Sequence, residues 1–306
     1  MVRYGFKKLL EMFLTLFIVV TIVFFFVRMI PGDPARMIAG EQATLEDVEN
    51  VREALGLNLP VGQQYVKYMT GLLRGDLGTS MRTKRPVAEE LAVRYPNTVK
   101  LTLVAITWSV LVGILLGVWS SRHRSGWQDY LGMTIAVSGI SIPNFWIGFM
   151  LISLFAVRLH WLPATGAGSF KNLILPGLTL GTNIMAILAR FSRSSMIEQL
   201  KEDYIRTGRS KGIGETPITW RHAFRNSMIS VVTVVGMQFG FLLGGSVITE
   251  AVFAFNGIGQ LLVTSVSFRD YPCIQSLILI FSLHFIVINF VVDILYAILN
   301  PEIQLS

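Results

Sequence analysis

Long apolar runs alternate with polar intervals along this chain of 306 residues. The runs cover roughly residues 9–30, 98–121, 130–157, 173–191, 229–249 and 275–299. Each run has about the 20 residues needed to cross a hydrocarbon layer, and buried helices of soluble proteins rarely extend so far without charge. The pattern therefore predicts an all-α polytopic membrane protein with six transmembrane helices.

Composition and charge agree with a membrane protein. Hydrophobic residues make up 52% of the chain, only 15% are charged, and the mean hydropathy is +0.58. The net charge of +7 comes from bases beside the apolar runs, which favours positive-inside topology over nucleic acid binding. We therefore expect membrane lipid, and no nucleic acid, around this chain. The single cysteine, Cys273, excludes an internal disulfide framework and a cysteine-rich metal site.

Three parts of the chain differ in character. Residues 1–30 form a basic tail and the first helix, which is too long for a signal peptide, so both termini are expected inside. Residues 31–97 form a nearly neutral outer insertion, in which Thr44 predicts the start of a helix that ends near Gly56. Residues 98–306 form the core with the remaining helices, including a polar interval at 192–228. One or two short helices are expected in the insertion.

Polar groups inside the runs suggest a translocation path. The third run is interrupted near Pro143, and a broken helix frees backbone groups that only protein or a water-lined cavity can satisfy. The candidates for the path are Ser141, Asn144, Asn183, Gln238, Ser246 and His284. Each could instead make a hydrogen bond between helices. Gly236, Gly240 and Gly244 lie four residues apart, a spacing that lets membrane helices pack closely. Arg28, Arg158 and Glu250 lie near run ends and are expected as interface anchors.

No enzyme motif is present in the sequence. There is no phosphate-binding Gly-x-x-x-x-Gly-Lys-Ser/Thr loop, no His-Glu-x-x-His and no Gly-x-Ser-x-Gly, and the four histidines lie on different segments. We therefore expect no catalytic residue, no metal site and no cofactor bound by this chain. If it takes part in active transport, the energy comes from a partner or from an ion gradient.

The interval 192–228 contains seven basic residues and four acidic ones. Within it, the segment Asp203 to Gly212 predicts a short helix. One interpretation is a solvated basic loop that only fixes topology. The other is a helix that docks into a partner protein, with Tyr204 and Ile205 as apolar anchors and with Gly208 and Gly212 leaving one face nearly bare.

The same interval resembles the cytoplasmic EAA loop of bacterial ABC importer permeases. Arg206-Thr207-Gly208 stands where that family has Glu-Ala-Ala, and Gly212 follows after three residues. Further similarity to the dipeptide, oligopeptide and nickel branch lies in Pro31-Gly32-Asp33-Pro34, Gly75-Asp76-Leu77-Gly78, Leu175-Pro176-Gly177 and Arg269-Asp270-Tyr271-Pro272. Ala136 to Ser141 and Gln238 to Ser246 are most similar to glutathione-importer permeases within that branch.

The resemblance implies a permease subunit in the bacterial inner membrane. Its expected partners are a second homologous permease, two ATPase subunits that hold ATP and magnesium, and a periplasmic solute-binding protein. The residues expected to couple to the ATPase are Asp203, Tyr204, Arg206, Thr207, Gly208, Arg209, Lys211 and Gly212. The expected cargo is a dipeptide, oligopeptide or glutathione, moved by alternating access. A channel or secondary carrier that works without ATPase partners is the alternative.

Overall fold

The computed structural model describes residues 2–40 and 42–299. Apart from an isolated bridge between Thr79 and Pro86, these residues form helices and connecting turns, with no strand. The helices are α1 Val2–Met29, α2 Pro34–Ala39, α3 Leu45–Ala54, α4 Val61–Leu73, α5 Val87–Arg122, α6 Trp127–Ser141, α7 Asn144–Leu151, α8 Lys171–Gln199, α9 Asp203–Ser210, α10 Glu215–Pro217, α11 Phe224–Val252, α12 Ile258–Ser267 and α13 Tyr271–Leu299. Two π-helical segments, π1 Ile152–Arg158 and π2 Ile218–Ala223, follow α7 and α10.

Helices long and apolar enough to cross a membrane lie at residues 10–29, 87–122, 171–199 and 271–294. Two bent pairs pass the same test. One is α6 with α7 and π1, and the other is residues 215–242, which run through α10, π2 and most of α11, with residues 246–252 at the end of α11. The part of the chain that the structure describes therefore has four candidate spans, or six if each bent pair is one span. The all-helical membrane fold agrees with the hydrophobic pattern.

The chain divides into two compact units. The first comprises residues 1–98 and 256–286, and its core includes Val87, Ile258 and Leu277. The described part of residues 31–97 contains three short helices, α2 to α4, instead of the one or two expected. Helix α5 begins at Val87, well before the expected residue 98, and α12 lies between the fifth and sixth apolar runs.

The second unit comprises residues 99–255 and 287–306. Its described residues pack around α8, which contacts α6, α7 and α11. Gly113 and Gly117 on α5 leave no room for side chains, because a Cβ atom there would lie 2.7 Å from the Met185 carbonyl oxygen and 2.5 Å from the Ala189 carbonyl oxygen of α8. The interlock is reciprocal: a Cβ at Gly181 on α8 would lie 2.8 Å from the Ala105 carbonyl oxygen.

The expected break in the third run is present. Helix α6 ends at Ser141, and α7 with π1 continues at an angle of 103°. Ile142 has φ −87° and ψ 127°, the extended conformation that a following proline imposes. Pro143 thus ends one helix and starts the next.

One expectation for the helix ends is wrong, and the glycines of α11 differ in what they contact. Glu250 is fully buried and therefore is not an interface anchor. A Cβ atom at Gly236 would lie 2.4 Å from Val292 of α13, whereas one at Gly244 would meet no described atom within 4 Å. The glycine spacing on α11 therefore supports close packing within this chain at Gly236 and does not do so at Gly244.

Candidate functional site

The interval 192–228 is mostly helical and is not a loop. Helix α8 continues to Gln199, eight residues beyond Phe191, where the fourth run was expected to end. Helix α9 follows after three residues, and α10 with π2 leads directly into α11. The expected short helix is present, and rigid elements flank it on both sides.

Helix α9 is fixed to its own chain by Ile205. This side chain is 1% exposed and packs with Val118, Met196, Ile218 and Ala223, which come from α5, α8 and π2. The expectation that Ile205 is a docking anchor for a partner is therefore wrong. Its burial instead makes α9 part of the same packed cluster as α5, α8 and π2.

The two glycines of this segment do not form a bare helix face. Gly212 lies beyond the last helical residue with φ +80°, in the left-handed region that suits glycine. The Ile213 amide donates to the Gly208 carbonyl at 3.2 Å, and the Gly212 amide donates to the Arg209 carbonyl at 2.9 Å. This pair of bonds is a Schellman motif. A Cβ at Gly208 would lie 3.4 Å from Ile218 Cδ1, so Gly208 faces its own chain.

The opposite face of α9 is charged and exposed. The exposed residues are Asp203, Tyr204, Arg206, Thr207, Arg209 and Lys211. Arg206 and Asp203 side chains are 78% and 90% exposed, with their charged atoms 3.3 Å apart. Tyr204 is 39% exposed, and its hydroxyl donates to Gln199 Oε1 at 2.8 Å. This face offers both charge and an aromatic ring to a partner.

A bidentate ion pair connects the two ends of the turn that follows α9. Arg209 donates from Nε to Glu215 Oε1 at 2.8 Å and from Nη2 to Glu215 Oε2 at 3.1 Å. The hydrogen bond from Arg209 holds the pKa of the Glu215 carboxyl below its usual range, and the same bond raises the pKa of Arg209. The bond thereby links the C-terminal turn of α9 to the start of α10.

The six path candidates do not all belong to one unit, since five lie in the second unit and His284 lies in the first. Ser141 is exposed, and its hydroxyl donates to the Val137 carbonyl. Asn183 and Gln238 are half-buried, and Ser246 is fully buried. His284 belongs to the first unit, where its ring nitrogens bond the Tyr95 hydroxyl and the Ile280 carbonyl.

Asn144 differs from the other path candidates in its side-chain hydrogen bonding. Its Oδ1 atom is buried and has no hydrogen-bond partner among the described residues. Beside the bend that follows α6, a cavity of about 430 Å³ is lined by Ser138, Trp146 and Thr182, among other residues. None of the six candidates lines this cavity.

Sequence reasoning missed a buried ion pair in the second unit. Arg193 on α8, expected only to mark topology, donates to both carboxylate oxygens of Asp129 on α6, at 2.5 and 2.6 Å. Asp129 is 3% exposed and also accepts the Ser125 amide at 3.0 Å. The sequence feature that could have indicated this pair is an acidic residue in the first turn of α6, directly after a basic loop. Within residues 2–40 and 42–299, no group of three or more His, Cys, Asp or Glu side chains could hold a metal ion.

The fold and this site define a class: a polytopic helical membrane protein that holds a short, charged helix against the ends of its long helices. The family of inner membrane components of binding-protein-dependent transport systems matches residues 109–305, and the N-terminal family of the same membrane components matches residues 1–102. The chain belongs to this family.

Curated relatives are similar over the whole length. The chain is 52% identical over 304 residues, covering 99% of both chains, to the glutathione transport system permease protein GsiC of Escherichia coli O6:H1. It is 51% identical, with the same coverage, to the protein of that name from Salmonella paratyphi A. An inward-facing structure of the MetNI methionine ABC transporter aligns with a TM-score of 0.56 at 18% identity, covering 69% of this chain and 96% of that one. This last similarity concerns the fold alone.

Proposed function

We propose that this chain is one of two membrane-spanning subunits of an ATP-driven importer that carries glutathione, or a peptide of similar size, into the cytoplasm. Family membership supports the transport role, and relatives of about half-identical sequence are described as glutathione permeases. The proposed coupling role of α9 rests on one observation: Ile205 buries one side of this helix against its own chain, while Arg206 is exposed on the other side.

The proposed topology has six spans with both termini inside. It treats each bent pair as one span, with the membrane crossing of the second pair beginning after residue 228. It places the interval 192–228, with seven bases against four acids, on the cytoplasmic side. Residues 31–97 then lie outside, where they meet a solute-binding protein. Residues 98–306 form the transport core.

In this proposal α9 docks in a groove of an ATPase subunit, and each of two such subunits binds ATP and magnesium. Closure of the ATPase pair moves α9, and the cluster around Ile205 passes the movement to α5, α8 and π2. The transport core, paired with a homologous second permease, then alternates between outward and inward access. Gly208 lets α9 pack against Ile218 of its own chain, and Gly212 caps the C-terminal end of the helix. The contact with the ATPase is made by Asp203, Tyr204, Arg206, Thr207, Arg209 and Lys211.

The coupling role is tested by Arg206→Glu in the complete transporter reconstituted in lipid. Reversing a charge that is 78% exposed leaves the fold intact, so the thermal midpoint stays unchanged. Stimulation of ATP hydrolysis by loaded binding protein falls at least about tenfold, because a close charge pair across an interface is worth more than about 1.4 kcal/mol.

Lys201→Glu is the matched control, since it reverses an exposed charge two residues before α9. If Arg206→Glu keeps full stimulation, or if both variants lose it equally, α9 is not the coupling element.

Cargo and energy source are tested by co-purification in mild detergent and by uptake of labelled glutathione into proteoliposomes. The importer proposal requires bound ATPase subunits and uptake that stops without ATP. Glutathione movement by this chain without ATPase subunits would instead support the channel or carrier. Undiminished glutathione uptake in the presence of excess glycine dipeptide would separate a glutathione importer from a general dipeptide importer.

A further inference from the structure

A cavity of about 400 Å³ lies within the first unit. The end of α1, the turn after α3, helix α4 and the first turn of α13 surround it. Its aliphatic and aromatic walls include Leu55, Leu57, Met81 and Tyr271. The volume falls within the range of small-molecule pockets, which combine apolar walls with a few polar groups.

Two residues that line this cavity, Gln275 and Tyr68, each carry a buried polar atom with no protein partner among the described residues. The atoms are Nε2 of Gln275, a residue that is 4% exposed, and the hydroxyl oxygen of Tyr68. Burial raises the pKa of Tyr68 to about 12, so its hydroxyl keeps its proton and remains a donor. Because buried donors in native proteins are nearly always paired, two unpaired donors on one cavity indicate an acceptor that the protein does not supply.

The charge around the cavity favours an anion. Arg28 and Lys67 line it against a single carboxylate, Asp76, whose Oδ1 already accepts the Gly78 amide. Arg28 is held in place because its guanidinium donates to Gln64 Oε1 at 3.0 and 3.2 Å and to the Phe24 carbonyl at 2.8 Å. A guanidinium carries five N–H groups, so this arrangement leaves donors for a further acceptor.

We propose that this cavity binds a small organic carboxylate with an apolar body. The carboxylate accepts from Gln275 and Tyr68 and lies in the positive field of Arg28 and Lys67. The body fills the space between the leucine side chains and Tyr271. The site is separate from α9 and does not depend on the proposed cargo.

The test uses three probes that share one branched carbon skeleton: leucine, 4-methylpentanoate and 3-methylbutylamine. Each is titrated calorimetrically into the full chain, purified in detergent with whatever subunits remain bound. Leucine and 4-methylpentanoate, which carry the carboxylate, are expected to bind with Kd values of about 1 mM or lower, and the amine is not. Absence of saturable binding by both carboxylates means that the cavity holds water alone, and equal binding of the amine contradicts the anion assignment.

Two variants locate the binding. Gln275→Leu and Tyr68→Phe each remove one unpaired donor and are expected to weaken carboxylate binding at least about fivefold, with a thermal midpoint that is unchanged or higher. Gln63→Leu, at an exposed position on α4 outside the cavity, is the matched control and leaves the affinity unchanged. Unchanged affinity in both cavity variants would show that the carboxylates bind elsewhere, which overturns the proposal.

Discussion

Two short helices of this chain, α3 and α9, are held by different means. Helix α3 has a complete capping box, in which the Asp47 amide donates to the Thr44 hydroxyl at 3.2 Å and the Thr44 amide donates to Asp47 Oδ2 at 3.0 Å. Arg52 in its last turn pairs with Asp33 and Glu49. Helix α9 has no side-chain bond at its N-cap, Glu202, and its one buried residue is Ile205.

The difference lies in where the stabilising contacts originate. Helix α3, with ten residues, is also short for an isolated helix, but its capping box and ion pairs add local bonds to its tertiary packing. Helix α9 has only eight residues, too few for an isolated helix to be stable in water, and therefore depends on the cluster around Ile205. A helix held in this way moves only when its supporting elements move, which suits a transmission role.

The largest effect is expected from Ile205→Ala. Removing a buried isoleucine costs about 2–5 kcal/mol, and most of the packing that holds α9 is lost with it. Hydrogen–deuterium exchange should show loss of protection throughout α9. Val48→Ala removes the one buried side chain of α3, but the caps and ion pairs of α3 remain, so its amides stay protected. Equal loss of protection in both helices would break the comparison.

A smaller effect is expected at the N-caps, where α3 should be more sensitive to substitution than α9. Thr44→Ala removes a capping bond and should destabilise α3 by about 1 kcal/mol. Glu202→Ala should leave the stability of α9 within about 0.5 kcal/mol, because no capping bond is lost. The measurement is the exchange rate of the first-turn amides in each helix. A larger effect at Glu202 than at Thr44 would contradict the assignment of local stability to α3.

The smallest effect concerns pH and the ion pair after α9. Because the pKa of Glu215 is lowered in the folded chain, its pairing with Arg209 stabilises the segment above the unfolded pKa, near about 4.3. This stabilisation is lost as the pH falls through the folded value. Glu215 is 59% exposed, so the effect is at most about 0.5 kcal/mol.

Glu215→Gln is the comparison for this effect. Amides 209–215 should exchange more slowly in the native chain than in the variant at pH 7, with each compared at the same pH. The difference should disappear once the pH has fallen below the lowered pKa of Glu215. A difference that persists at low pH would show that the carboxylate charge is not its source.

Features encoded by neighbouring residues could be predicted from the sequence. The N-cap of α3 follows from Thr44, and the break before α7 follows from Pro143, since both act within a few residues. The beginning of α9 was also correct. The role of Gly212 was not, because spacing alone does not distinguish a glycine on a helix face from one that ends the helix.

Features encoded by distant residues could not be predicted. Arg193 and Asp129 are 64 residues apart, and each alone is typical of a basic loop or a first helical turn. The side chains that bury Ile205 come from three separate elements. The local sequence shows only an isoleucine in a polar interval, which predicts an anchor for a partner protein. The six path candidates share only polarity, and polarity does not determine which side of a helix faces a cavity.

The reciprocal glycines of α5 and α8 limit how this protein can change over generations. A one-residue slip between the two helices would bring a side chain against backbone at Gly113 or Gly117, where no Cβ fits. The register of the two helices therefore depends on the missing side chains of these glycines, and substitution of either glycine by alanine would be damaging. Substitution at these glycines is therefore limited by the facing backbone, whereas exposed positions of α5, such as Leu111 and Leu115, carry no such limit within this chain.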